Sequence, residues 1–141
     1  MTDARMPLSL GPLADPLWLA VPEARPLLAG LLAKEVEDAI RYGRELTPPG
    51  YAEVADALYL ELLRPSMSGA SGSSEVVRRC LGVLARLVRE ADGDWRWETI
   101  DRNIVRMLEL DGFGPALTAL DPDFMRLVQD TRRRLGQDWS V

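Results

Sequence analysis

The sequence predicts an all-α protein, a compact bundle of about five helices behind a proline-rich N-terminal arm. Three observations lead there. Apolar residues recur at spacings of three and four through most of the chain. Proline, glycine and aspartate punctuate those stretches where helices begin and end. No stretch alternates apolar and polar residues between hairpin turns. The chain of 141 residues suits one domain spanning 1–141, long enough to bury a core without staples.

Residues 1–21, with the run MPLSLGPLADPLWLAVP, hold too many helix breakers for a long helix. Leu13, Leu17, Trp18, Leu19 and Val21 are nevertheless apolar, which predicts an arm with at most a short helical turn, docked on the body. The first helix opens around Pro22 and Pro26, places Leu28, Leu31, Leu32, Val36, Ala39 and Ile40 on one face, and closes at Gly43. The second takes Thr47 as its cap and Tyr51, Val54, Ala55, Leu58 and Leu62 as its stripe, and is expected to stop before Pro65. The third carries Val77, Cys80, Leu81, Leu84, Leu87 and Val88 and ends at Asp92-Gly93-Asp94. Asp94 caps the fourth, whose stripe is Trp97, Ile100, Ile104, Met107 and Leu108. A short turn over 115–120 leads to Asp121-Pro122-Asp123, a compact start signal for the last helix, with Phe124, Leu127, Val128, Thr131 and Leu135 inward.

Between the second and third helices lies PSMSGASGSSE, the one run rich in small residues. A phosphate-cradling loop needs a preceding strand and a closing Gly-Lys-Ser/Thr, and this run has neither. It reads as a flexible connection over 65–74 whose last serines cap the next helix.

The chain contains no histidine, which removes imidazole bases and the commonest metal ligand. Cys80, the single cysteine, falls on an apolar stripe and reads as an inert core residue. Asp92-Gly93-Asp94 starts like a calcium loop, but Arg96, Trp97 and Asn103 stand where ligands and glycine are needed. No metal, no cofactor and no catalytic residue is therefore expected, and the chain reads as a non-enzyme. The formal charge of -5 repels phosphate backbones, so no nucleic acid is expected as a partner. The longest apolar runs are too short for a bilayer, and the N-terminus is no signal peptide, so a cytoplasmic protein away from the membrane is expected.

What remains is binding. The first 64 residues hold 10 acids against 6 bases, the rest 12 against 11. Glu53, Asp56 and Glu61 give the second helix an acidic outer face, and Arg78, Arg79, Arg86 and Arg89 give the third a basic one. In Trp95-Arg96-Trp97 the two indoles cannot share a helix face. Trp97 belongs to the core stripe, which turns Trp95 outward or under the arm. Exposed Trp and Arg are the residues that anchor interfaces. Glu53, Asp56, Glu61, Trp95 and Arg96 are thus the candidate partner-binding residues, with Trp139 as a second aromatic candidate. Arg132-Arg133-Arg134 reads as cation placement at a helix C-terminus.

The second half, from RRCLGVLARLVRE through RNIVRMLELDGF to LDPDFMRLVQDTRRRLG, resembles small all-helical bacterial proteins of the immunity type. The resemblance implies a protein that neutralises a toxin by binding and masking it, and it brings no catalytic residues. The alternative is a helical domain with a small-molecule pocket between its helices. A homodimer is compatible with either, because a stripe facing a partner has the same pattern as one facing the core.

Overall fold

The computed structural model describes residues 9–69 and 74–137. Among these residues every regular element is helical, and there are seven helices. They are α1 (Ala14–Ala20), α2 (Arg25–Tyr42), α3 (51–67), α4 (Ser74–Ala91), α5 (95–110), α6 (Gly114–Leu120) and α7 (Pro122–Arg134). The five principal helices expected from the sequence are α2, α3, α4, α5 and α7. Two short ones, α1 in the arm and α6 over the expected turn, complete the set. Residues 1–8 of the arm, residues 70–73 of the serine run, and Trp139 lie outside the described residues.

α4 is the axis of the molecule. It packs against α1, α3, α5 and α7, and buries ten side chains from Val76 to Ala91. That breadth arises from its sequence, where Val76, Val83 and Ala85 widen the Val77-Cys80-Leu81-Leu84 stripe. The arm covers one side: α1 packs on α4, with Leu10, Leu13, Leu17 and Val21 buried. Each such fully buried leucine contributes about 2 kcal/mol from apolar burial. The Asp15 carboxylate holds the arm's entry, accepting from Leu10 N–H at 2.7 Å and Ser9 Oγ at 2.6 Å. Arg25 ties α2 to α1 by donating to the Trp18 carbonyl at 2.8 Å, with its guanidinium over the indole.

Four sequence expectations need correction. α3 begins after Gly50, not at Thr47, because a residue before proline avoids the helical region and 47–49 contains two such positions. It also runs through Pro65 to Met67. Before the proline, Tyr59–Leu63 opens into a π turn in which Arg64 N–H reaches back five residues to the Tyr59 carbonyl, so the ladder is already widened where the ring enters. A matching π turn, Asp101–Val105, interrupts α5, with Ile104 and Leu108 still buried as expected. Val105 is buried, and Met107 is left partly exposed at 37%. On α2 only Leu28 and Ala39 are buried; Val36 and Ile40 face outward, Ile40 at 77% exposure.

The termini obey capping chemistry. Gly43 closes α2 in the left-handed region, with Arg44 N–H bonding the Ala39 carbonyl. Asp94 caps α5 and Asp121 caps α7, each accepting a backbone N–H two or three residues on. Gly93, at φ +81°, turns the chain between α4 and α5 where a Cβ would also press within 3.1 Å of Leu135.

Candidate protein-binding surface

α3 and α5 lie side by side and run in the same direction, tied at three levels. At the lower level the Tyr51 ring meets Trp95 edge-on, with centroids 5.1 Å apart. In the middle, Asn103 Nδ2 donates to Asp56 Oδ1 at 2.9 Å. At the upper level the Tyr59 hydroxyl donates to the Asp111 carboxylate. Leu60 lies in the π turn of α3, and Met107 lies just beyond the π turn of α5. Leu60, Met107 and Leu110, in the C-terminal halves of the two helices, are exposed, and Trp95, at the start of α5, is exposed at 58%. The pair thus presents apolar side chains at both ends of a polar middle.

The five sequence candidates fall on or beside this pair, in different states. Asp56 and Glu61 are exposed on α3. Glu53 is half-buried, and its Oε1 lies buried without a partner among the described residues. Trp95 is held by Tyr51 but keeps most of its indole in solvent. Arg96 is committed locally: its guanidinium donates to the Asp94 carboxylate at 2.7–3.1 Å and to the Glu90 carbonyl at 3.4 Å. Those bonds hold the Asp94 carboxyl below its ordinary range and raise the Arg96 guanidinium further. Arg96 therefore stiffens the turn that carries Trp95. Under that turn, burial pushes the Tyr51 phenol up to about 12, aided by the charges of Asp94 and Glu90 and opposed by Arg96.

A second cluster was not foreseen. Arg132 is buried on α7 and grips two carboxylates of α5. Its Nη2 reaches Asp101 Oδ1 and Glu109 Oε1, each at 2.6 Å, with further bonds from Nε and Nη1 at 3.1 and 3.2 Å. Arg106 Nε adds a bond to Asp101 Oδ2 at 3.1 Å, and Trp97 Nε1 donates to Gln137 Oε1 at 2.8 Å. Burial opposes the Arg132 charge, but the bonds to Glu109 and Asp101 outweigh it and raise its pKa. Arg132 stands in the last turn of α7, as expected of a cation near a helix C-terminus, but it is buried in these bonds, while Arg133 and Arg134 are exposed. The pattern carried a signal: Asp101 follows Trp97 by four and precedes Ile104 by three, and Arg132 follows Val128 by four, so both charges sit on apolar stripes. Two carboxylates locked onto two guanidinium groups form a clamp between α5 and α7, a poor setting for proton transfer.

Elsewhere the chemistry is quiet. Cys80 is fully buried, and burial pushes its thiol up to about 12, so it stays protonated at neutral pH. Among the described residues no three Cys, Asp or Glu side chains converge where a metal ion could bind. No described helix is long and apolar enough to cross a membrane. A depression of about 370 Å³ between α4 and α7 is open to solvent and lined largely by charged side chains, Arg89, Asp92, Asp130 and Arg134. No protein-family model, no curated protein and no solved structure matches the chain.

Proposed function

We propose that this chain is a non-enzymatic protein-binding domain that acts as an immunity or inhibitor protein, masking a toxin through the outer face of α3 and α5. The observation that carries the reading is Trp95: a large indole 58% exposed, yet fixed by the Tyr51 ring on a turn stiffened by Arg96 and Asp94. A pre-ordered aromatic loses little freedom on binding, which is what an interface anchor requires. Asp56 and Glu61, exposed further along α3, favour a basic partner, and Leu60, Met107 and Leu110 supply exposed apolar area. The partner fits a cytoplasmic toxin with a basic, substrate-binding face.

The test is an affinity pull-down from the native host with tagged protein, read by mass spectrometry, comparing the wild type with Trp95→Ala and with a Glu53/Asp56/Glu61 charge reversal. One stoichiometric partner encoded beside this gene, captured by the wild type and lost with both variants, supports the reading. Unchanged capture by both variants sinks the surface. Recovery of a small molecule and no protein would favour a ligand-binding domain.

A further inference from the structure

α2 carries a second exposed face that no other described element covers. Ala29, Ala33, Val36 and Ile40 are all exposed and succeed one another at spacings of four, three and four. That is the seam spacing of paired helices. The helix has 18 residues but buries only Leu28 and Ala39, so it rides at the edge of the bundle with this stripe turned aside from the core. Leu32, one turn before Val36, extends the apolar area toward Leu46 across a shallow depression.

The order of sizes along the stripe decides what fits it. The first half is small, with Ala29 and Ala33; the second half is bulky, with Val36 and Ile40. A second copy of α2 running antiparallel sets Ala29 against Ile40 and Ala33 against Val36, and both pairs share one twofold axis. Every large side chain then meets a small one, as close packing requires. A parallel pair would put Ile40 on Ile40 and leave a gap between the alanines. The antiparallel pair also sets Glu37 across from Gly30 of the second copy of the helix, so no like charges meet, and it opposes the two helix dipoles.

We infer that the chain self-associates through α2 as an antiparallel, twofold-symmetric pair. The contact is independent of the α3/α5 face, which stays open. A seam of about three turns lies at the small end of specific interfaces, so the dimer is a concentration-dependent one.

Sedimentation velocity from about 1 to 500 µM tests this, a range that spans weak to firm pairing. The wild type is expected to shift from monomer to dimer. Ile40→Glu, at an exposed site that leaves the fold intact by circular dichroism, is expected to remain monomeric throughout. Register is read by oxidising mixtures of differently tagged Ala29→Cys and Ile40→Cys chains, Cys80 being buried. The mixed pair is expected to cross-link and Ala29→Cys alone is not, since its two copies would lie about 16 Å apart along the seam. A wild type that is monomeric across the range, an Ile40→Glu dimer, or efficient cross-linking of Ala29→Cys to itself would each overturn the inference.

Discussion

Replacing Arg132 by methionine tests whether the α5–α7 clamp is a buried ionic unit or a surface ornament. The guanidinium forks onto Asp101 and Glu109, with side-chain exposures of 6% for Arg132, 4% for Asp101 and 26% for Glu109. Methionine fills much of the volume but removes the charge. Glu109 can then turn toward water, whereas Asp101 cannot. Removing one partner of a buried pair costs about 3–5 kcal/mol, because the other charge stays desolvated. Arg106 still reaches Asp101, which puts the expected loss near the lower end, about 3 kcal/mol. For a chain of this size that lowers Tm by about 10 °C. Urea unfolding monitored at 222 nm should show the midpoint fall with the slope unchanged. Arg132→Lys should fall between, since an ammonium cannot fork onto both carboxylates. In a double-mutant cycle with Asp101→Asn the two losses should not add, because the second change relieves the charge stranded by the first. A loss below about 1 kcal/mol, or additive losses, would refute the clamp.

Four further outcomes are expected. Cys80 in the native protein should resist a thiol reagent at pH 8 and react fully once urea unfolds the chain; rapid reaction of the native thiol would contradict its burial. Asp94 has its folded pKa depressed, so it adds stability above its ordinary value of 3.8 that is lost as pH falls through the folded value. Asp94→Asn should therefore flatten the acid limb below about pH 4, whereas a constant offset across pH 2–6 would exclude the linkage. The Tyr51 hydroxyl is buried without a partner among the described residues, so Tyr51→Phe should leave the urea midpoint unchanged or raise it, and a clear drop would reveal a bond to that oxygen. Deleting the exposed Arg102 should remove the extra residue of the α5 π turn and close it to an ordinary turn, leaving the residues beyond it facing as before, at a stability cost of no more than about 1 kcal/mol, with Arg102→Ala within about 0.5 kcal/mol; loss of cooperative unfolding on deletion would show that the wide turn itself is required.

Some of the places where sequence and structure part company share one physical cause. Helix starts and stops set by local chemistry were legible: Asp94 and Asp121 as caps, Gly43 and Gly93 as left-handed stops. Helix faces were legible where the turn held 3.6 residues and the helix lay within the bundle; on the edge helix α2, Val36 and Ile40 turn outward without any π turn. In α4, unbroken from Ser74 to Ala91, the expected stripe is the buried one. In α3 the extra residue of the π turn shifts the phase, so Leu63 replaces Leu62 in the core; in α5 Ile104 and Leu108 keep their expected places, Val105 joins them and Met107 turns out. No local residue type announces a π turn, because its cost is offset by tertiary contacts several residues away. In α5 that contact is the clamp: the π turn brings Arg106 round to Asp101, where α7 supplies Arg132. The candidate surface was legible for the same reason it was incomplete. Trp95 precedes the π turn, and periodicity narrowed it to an outward place or one under the arm, whereas Leu110 comes after that turn and Leu60 lies within the one in α3. The surface therefore joins an exposed tryptophan that precedes one π turn to exposed leucines that lie within or beyond the two, on helices packed side by side.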